Sequence, residues 1–222
     1  MKLILLGLPG AGKGTQAKMI AGRLALVHVS TGDMFREAAA EGTALGKRAQ
    51  QFMSRGELVP DEVTIEMLLE RIARPDAQAG FMLDGFPRTL AQAQALDAAL
   101  ARRGAAIDAV LYIQVPEAEL LGRLAGRLGC PQCGAIYHLQ NRPPRRAGRC
   151  DECGSELTKR ADDRAETVAE RLRVNREQTE ALVGYYAPAG KLHRVDGTGE
   201  PAQVTGRLLL VPDALSAEVQ KA

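Results

Sequence analysis

Gly7-Leu8-Pro9-Gly10-Ala11-Gly12-Lys13-Gly14-Thr15 lies between an apolar run at residues 3–6 and a stretch with helical spacing over residues 11–24. A glycine-rich turn between strand and helix lets successive backbone N–H groups converge on phosphate oxygens at the positive end of the helix. Lys13 adds a mobile positive charge. The strict form of such a loop has Ser or Thr directly after the Lys, whereas here Gly14 takes that place and Thr15 follows. A hydroxyl one position late is a less certain direct ligand for Mg2+, which turns attention to a carboxylate acting through water. Without a ligand, the same stretch is only a glycine-rich turn.

Working outward, short apolar runs at residues 3–6, 27–29, 81–83, 110–115 and 192–195 recur between helical patterns at 11–24, 62–73, 90–101, 117–127 and 165–183. That alternation specifies an α/β fold in which five strands form a parallel sheet flanked by crossover helices; it does not give the strand order. Two stretches break the rhythm. Residues 30–59 are short helix-like pieces punctuated by Gly32, Gly42, Gly46 and Gly56, and residues 126–163 lose the apolar period and hold all four cysteines. Both read as insertions on the functional edge of the sheet, leaving residues 1–29, 60–125 and 164–222 as the core. The tail after Pro212 is polar and carries no further signal.

Twenty-nine Lys and Arg against 27 Asp and Glu leave a net charge of +2, which excludes a strongly basic nucleic-acid binder and makes any basic site local. The opening residues resemble the start of a signal peptide, but Pro9 and Lys13 interrupt the apolar run and no small-residue cleavage site follows. No run reaches the ~18 to 20 apolar residues of a membrane helix. A reducing, cytoplasmic setting with no membrane or nucleic-acid partner is the expectation, and there thiols more often bind metal than pair.

Cys130-Pro131-Gln132-Cys133 and Cys150-Asp151-Glu152-Cys153 are two C-x2-C knuckles separated by sixteen residues, the spacing of a zinc ribbon. Four thiolates fill a tetrahedral shell, so one Zn2+ per chain would stabilise the insertion and take no part in chemistry. Disulfides or free thiols are the alternatives. Arg142, Arg145, Arg146 and Arg149, between the knuckles, read as solvated surface charge that also offsets the negative charge of a four-thiolate zinc site.

Residues 7–15, then Ser30-Thr31-Gly32-Asp33-Met34, Asp84-Gly85-Phe86-Pro87-Arg88-Thr89 and Asp162-Asp163 follow one another in an order and spacing that resemble the adenylate kinases over nearly the whole chain. The run from Asp84 to Arg88 is the most specific, because phosphate-loop proteins in general lack it. The resemblance implies a P-loop NTPase-type five-stranded core, an NMP-binding insertion at 30–59 and a zinc-ribbon-like lid at 126–163. It implies transfer of the terminal phosphoryl group of ATP to AMP, giving two ADP with Mg2+, by a monomer. ATP would contact Gly10, Ala11, Gly12, Lys13, Gly14, Thr15, Arg123, Arg127, Ile136, Tyr137 and Gly199. AMP would contact Thr31, Arg36, Glu57, Leu58, Val59, Gly85, Phe86, Pro87, Arg88, Gln92, Arg160 and Arg171. Lys13, Asp84, Arg88, Arg123, Arg160 and Arg171 would be catalytic, Asp84 by holding Mg2+ through water.

The chemistry of these residue types agrees with the resemblance. Asp84 ends a strand beside the phosphate loop, although a turn or cap residue would look the same. Arg36 and Arg88 can fork a phosphate, and the Gln92 amide can read a base edge. Arg123 and Arg127, four apart, share a helical face. Any one of these arginines alone reads as a solvated charge; the set points to phosphate. Asp33 is a weaker second carboxylate that equally reads as a helix cap. His28, His138 and His193 form no nucleophile–base arrangement, and none is required. The oxygen of a monophosphate is already ionised at neutral pH, so alignment and positive charge suffice. Keeping water from the donor gives two insertions a reason to close. A UMP or CMP kinase shares the loop and the arginines; Thr31, Gln92 and the long cysteine-bearing lid favour AMP. A zinc-ribbon protein that binds nucleic acid under ATPase drive is the reading from another class, opposed by the near-neutral charge and the lack of aromatic stacking motifs.

Overall fold

A computed structural model describes residues 1–219 and contains seven strands: β1 (Lys2–Leu6), β2 (Val27–Ser30), β3 (Phe81–Asp84), β4 (Ala109–Gln114), β5 (Arg127–Gly129), β6 (Ile136–His138) and β7 (Leu192–Asp196). Five of them form a parallel sheet in the order β2-β3-β1-β4-β7. Leu5 of β1 stands opposite Asp84 on one side and Leu111 on the other. From β1 the chain builds first one wing of the sheet and then the other, so a crevice opens beyond the carboxyl end of β1, where open α/β sheets bind ligands. The last three residues of the expected core segment lie outside the described residues.

Eight helices accompany the strands: α1 (Lys13–Leu24), α2 (Thr31–Ala40), α3 (Ala44–Ser54), α4 (Asp61–Ala73), α5 (Leu90–Ala101), α6 (Glu117–Ala125), α7 (Ala165–Tyr186) and α8 (Pro201–Val219). Alternate residues of β1 serve opposite layers. Leu3 and Leu5 pack with Ile20 of α1, Leu120 and Leu124 of α6 and Leu208 of α8. Ile4 and Leu6 pack with Leu68 of α4, Leu96 of α5 and Leu182 of α7. Because both faces are covered, the strands read as continuous apolar runs and not as alternating ones.

Three expectations need correction. α1 starts at Lys13, since Gly12 holds the N-cap with φ 91°, a conformation open to glycine at little cost. α6 stops at Ala125, not Arg127. Beyond Gly126 the chain extends into β5, where Arg127 pairs across from His138. A Cβ at Gly126 would lie 2.4 Å from the His138 ring, so a larger residue there would have to push that ring aside. Arg127 therefore leaves the helical face that Arg123 occupies. The tail is not featureless either: α8 continues through Pro212, whose missing N–H and ring oppose a helix interior, while Ser216 Oγ donates to the Pro212 carbonyl at 2.8 Å.

The two interruptions carry small cores of their own. Ser30 Oγ accepts from Asp33 N to cap α2, Thr43 Oγ1 accepts from Gly46 N to cap α3, and the pair encloses Phe35, Ala49 and Val59. Cys130, Ala135, Tyr137, Cys150 and Leu157 pack around the antiparallel β5–β6 pair. None of the described helices is long and apolar enough to cross a membrane.

α2 and α3 meet so closely that a Cβ at Gly46 would lie 2.1 Å from the Ala38 carbonyl carbon. Gly46→Ala is expected to destabilise the pair by about 1–3 kcal/mol. Hydrogen exchange over residues 31–54 should quicken; unchanged exchange there would refute the crossing.

Candidate active site

The loop after β1 is shaped by three glycines. A Cβ at Gly7 would lie 2.9 Å from the Ile113 carbonyl oxygen and one at Gly10 would lie 3.0 Å from that of Leu120, so β4 and α6 press directly on the loop's backbone. Gly12 then opens α1. Lys13 folds back, its Nζ donating to the carbonyls of Gly7 at 2.6 Å and Leu8 at 3.1 Å. Burial pushes its ammonium down to about 7; Asp84 opposes that shift, and Arg88, Arg171 and Arg127 add to it. An incoming phosphate supplies the missing counter-charge, so anion binding and protonation of Lys13 are linked.

Asp84 sits at the carboxyl end of β3, nearly buried, with His28 Nε2 of β2 3.6 Å from its Oδ2. Burial pushes its carboxyl up, but the His28 ring and the Lys13 ammonium outweigh burial and hold it below the usual carboxylate range. It is ionised at neutral pH. A Cβ at Gly14 would touch Asp84 Oδ2 at 3.4 Å and Ile136 Cδ1 at 3.6 Å. A methyl group would fit there in ordinary contact, whereas a larger side chain would press on the carboxylate from β3. One ionised carboxylate next to a phosphate loop suits Mg2+, which keeps several waters and takes its other ligands from phosphate.

Arginines crowd the same cleft, and acidic or carbonyl partners hold most of them. Arg36 pairs with Asp33. Arg88 Nε donates to the Gly85 carbonyl at 2.8 Å, the same oxygen that accepts Thr31 Oγ1 at 2.9 Å. Arg123 donates to Glu119 Oε1 at 2.6 Å and to the Gly197 carbonyl at 2.9 Å. Arg127 grips both oxygens of the fully buried Asp163 at 2.6 and 2.5 Å. Arg171 reaches Asp163 at 2.8 Å and Asp162 at 2.9 Å. Burial, with Arg171 adding to it, brings Arg88 down to about 10, and burial with Arg36 and Arg127 brings Arg160 down to about 9. Both remain protonated at neutral pH.

These groups surround one cleft of about 440 Å³. Its surface includes Gly10, Ala11, Gly12, Lys13, Gly14 and Thr15, then Arg36, Asp84, Gly85 and Arg88, then Arg123, Arg127, Arg160 and Arg171, and finally Ile136, Tyr137 and Gly199. Other expected residues stand behind that surface. Thr31, Phe86 and Gln92 are buried, and the Gln92 amide is engaged at both ends, donating to Asp61 at 2.7 Å and accepting from Arg88 N at 2.7 Å. Glu57 chelates Arg55, and Val59 belongs to the small core under α2 and α3, with Leu58 between them and Pro87 beside Phe86.

The cysteines converge as well. Each knuckle closes the same way: the N–H of Gly134 donates to Cys130 O at 3.1 Å, and that of Gly154 to Cys150 O at 2.9 Å. All four Sγ atoms lie within 4.8 Å of one another, with Cys130–Cys153 at 3.4 Å and Cys133–Cys150 at 3.5 Å. A tetrahedral zinc with Zn–S bonds of about 2.3 Å separates its sulfurs by about 3.8 Å, so the donor set fits.

A family model described as adenylate kinase matches residues 5–191. The adenylate kinase of Moorella thermoacetica is 56% identical over 198 residues, 89% of this chain and 91% of the relative. That of Archaeoglobus fulgidus is 54% identical over 198 residues, again 89% and 91%. That of Syntrophobacter fumaroxidans is 50% identical over 211 residues, 95% and 99%. The chain belongs to the adenylate kinase family.

For an adenylate kinase the geometry adds partners that sequence reasoning passed over. Asp162 and Asp163 were visible as a motif without a task, and here they hold Arg127 and Arg171. Glu119 was signalled only by its i,i+4 spacing to Arg123. His28 carried no signal, because its approach to Asp84 depends on β2 and β3 being neighbours. The Gly14 contact yields a sharp test. Gly14→Ala should keep most activity, whereas Gly14→Val, whose branched side chain displaces Asp84, should cut turnover by about a hundredfold with the fold intact by circular dichroism. Equal activity of the two variants would show that the space beside Asp84 does not matter.

Proposed function

We propose that this chain transfers the terminal phosphoryl group of ATP reversibly to AMP, giving two ADP with Mg2+, and so balances adenine nucleotides as a cytoplasmic monomer. Convergence carries this reading: a phosphate loop, a strand-end carboxylate and arginines from the core and both insertions line one cleft. Residues 1–29, 60–125 and 164–222 act as the core, 30–59 as the domain that closes over AMP, and 126–163 as the lid over ATP. Residues 10–15, Arg123, Arg127, Ile136, Tyr137 and Gly199 hold the donor. Thr31, Arg36, residues 57–59, residues 85–88, Gln92, Arg160 and Arg171 hold the acceptor, with Gln92 exchanging its bond to Asp61 for the adenine edge.

The attacking phosphate oxygen is already ionised, so no side chain has to remove a proton. Lys13 swings from the Gly7 and Leu8 carbonyls onto the donor phosphates. Arg88, Arg123, Arg160 and Arg171 surround the oxygens of the group in flight, where fixed cations in a dry site favour the spread charge of the transition state. Asp84 would hold Mg2+ through water, and the ion would supply counter-charge to the donor phosphates. Closure of the two insertions excludes water, which would otherwise hydrolyse ATP.

A coupled assay with ATP and each of AMP, UMP, CMP and GMP tests the proposal. AMP should be the preferred acceptor; preference for UMP or CMP would reassign the substrate, and ATP hydrolysis without any acceptor phosphorylated would defeat the kinase reading. In the same assay Lys13→Met should lower turnover by about 10² to 10³ without unfolding the protein.

Zinc held by Cys130, Cys133, Cys150 and Cys153 is assigned a structural role. Freshly purified, reduced protein should contain about one zinc per chain, and chelation should raise hydrogen exchange in residues 126–163 before the sheet opens. Zinc-free protein with a fully protected lid would overturn the assignment.

A further inference from the structure

Of the four arginines between the cysteine knuckles, Arg142 alone reaches the nucleotide cleft. Its placement is built, not incidental. His138 N donates to Arg142 O at 3.0 Å and Arg142 N returns a bond to His138 O at 3.3 Å, closing a tight hairpin at the end of β6. His138 Nδ1 accepts from the N–H groups of both Gln140 and Asn141 at 3.1 Å, which fixes the turn. The Arg142 guanidinium lies over the Tyr137 ring, 5.5 Å from its centroid. Tyr137 cannot drift, because its hydroxyl accepts from Asp151 N at 2.8 Å and lies 3.6 Å from Cys150 Sγ. The cysteine cluster thus steadies an aromatic platform, and the platform carries the guanidinium.

Among the described residues, Arg142 is the one arginine of the cleft that lies over an aromatic ring, and like Arg88 and Arg160 it has no carboxylate partner. Arg36, Arg123, Arg127 and Arg171 each pair with a carboxylate. Among the described residues, no carboxylate lies within ion-pair distance of Arg142. A planar cation resting on one ring offers its other face to a second flat group, and stacking of this kind favours a base over a phosphate. We propose that Arg142 is a donor-site residue that stacks on the purine base of ATP and contributes to the preference for a purine donor. The inference rests on the reading of this cleft as an ATP–AMP transfer site.

Steady-state kinetics of Arg142→Ala, Arg142→Gln and Arg142→Lys would test it, with ATP and with UTP as donor and with zinc content measured alongside. Arg142→Ala should raise KM for ATP by about fivefold or more, leave KM for AMP and kcat at saturating ATP near wild type, and narrow the preference for ATP over UTP. Arg142→Lys should recover little, because it restores charge without the plane. Arg142→Gln, closer in length, answers the question if the alanine variant loses zinc. KM for ATP within twofold of wild type in zinc-replete variants would overturn the inference, as would full recovery by Lys or equal losses for ATP and UTP. Wild-type protein without transfer activity would instead defeat the underlying reading of the cleft.

Discussion

Positive charge crowded out of water needs counter-charge within a few ångströms, and the cleft is built around that demand. Lys13, Arg88, Arg160 and Arg171 all hold their protons less tightly than usual, chiefly through burial and in part through one another. Asp84 relieves the crowding from the β3 side, and Asp162 and Asp163 relieve it from the turn before α7. Asp33 also faces Arg160, yet the carboxylates of the cleft remain fewer than its cations. The phosphates of a polyanion would offset the residual repulsion.

Asp163 also has a mechanical position. Arg127 lies where the cysteine-bearing insertion leaves the core and Asp163 where it returns, 36 residues later, and their two-bond contact ties the ends of the insertion together. Arg171 of α7 shares the same carboxylate. A phosphate drawing on either arginine competes with Asp163 for it. Both arginines and the two ends of the insertion therefore meet at one buried carboxylate. On the opposite side, the Gly85 carbonyl joins Thr31 to Arg88 and plays a comparable part for the α2–α3 insertion.

The sheet was legible because its strands are buried on both faces and their apolar runs stand out from helical spacing; each of the five runs lies where a strand formed, within a residue or two at the ends. Strand order was not legible, and with it went His28, which meets Asp84 only across neighbouring strands. Helical spacing ran on past Gly126 because Arg127 fits the period, while the glycine's role depends on a His138 ring that folds in from twelve residues later. α8 was missed since Pro212 argues against a helix on local grounds. The cysteine knuckles could be read outright because their spacing encodes their geometry. Arg142 could not, as nothing in a run of arginines says which one a hairpin will turn inward. Thr31 and Gln92 were singled out by family likeness, yet their burial behind the cleft wall emerges only from the packing.

Phosphate loops are commonly treated as interchangeable cassettes, one stretch of chain that takes its function wherever it is inserted. Gly14 shows why this one is not. A Cβ on it would come within 3.4 Å of a carboxylate on a strand seventy residues away, so loop and strand share one small space. A side chain longer than a methyl at Gly14 would press on Asp84, so what the loop can carry at that position depends on the strand. The two segments therefore constrain each other despite their distance along the chain.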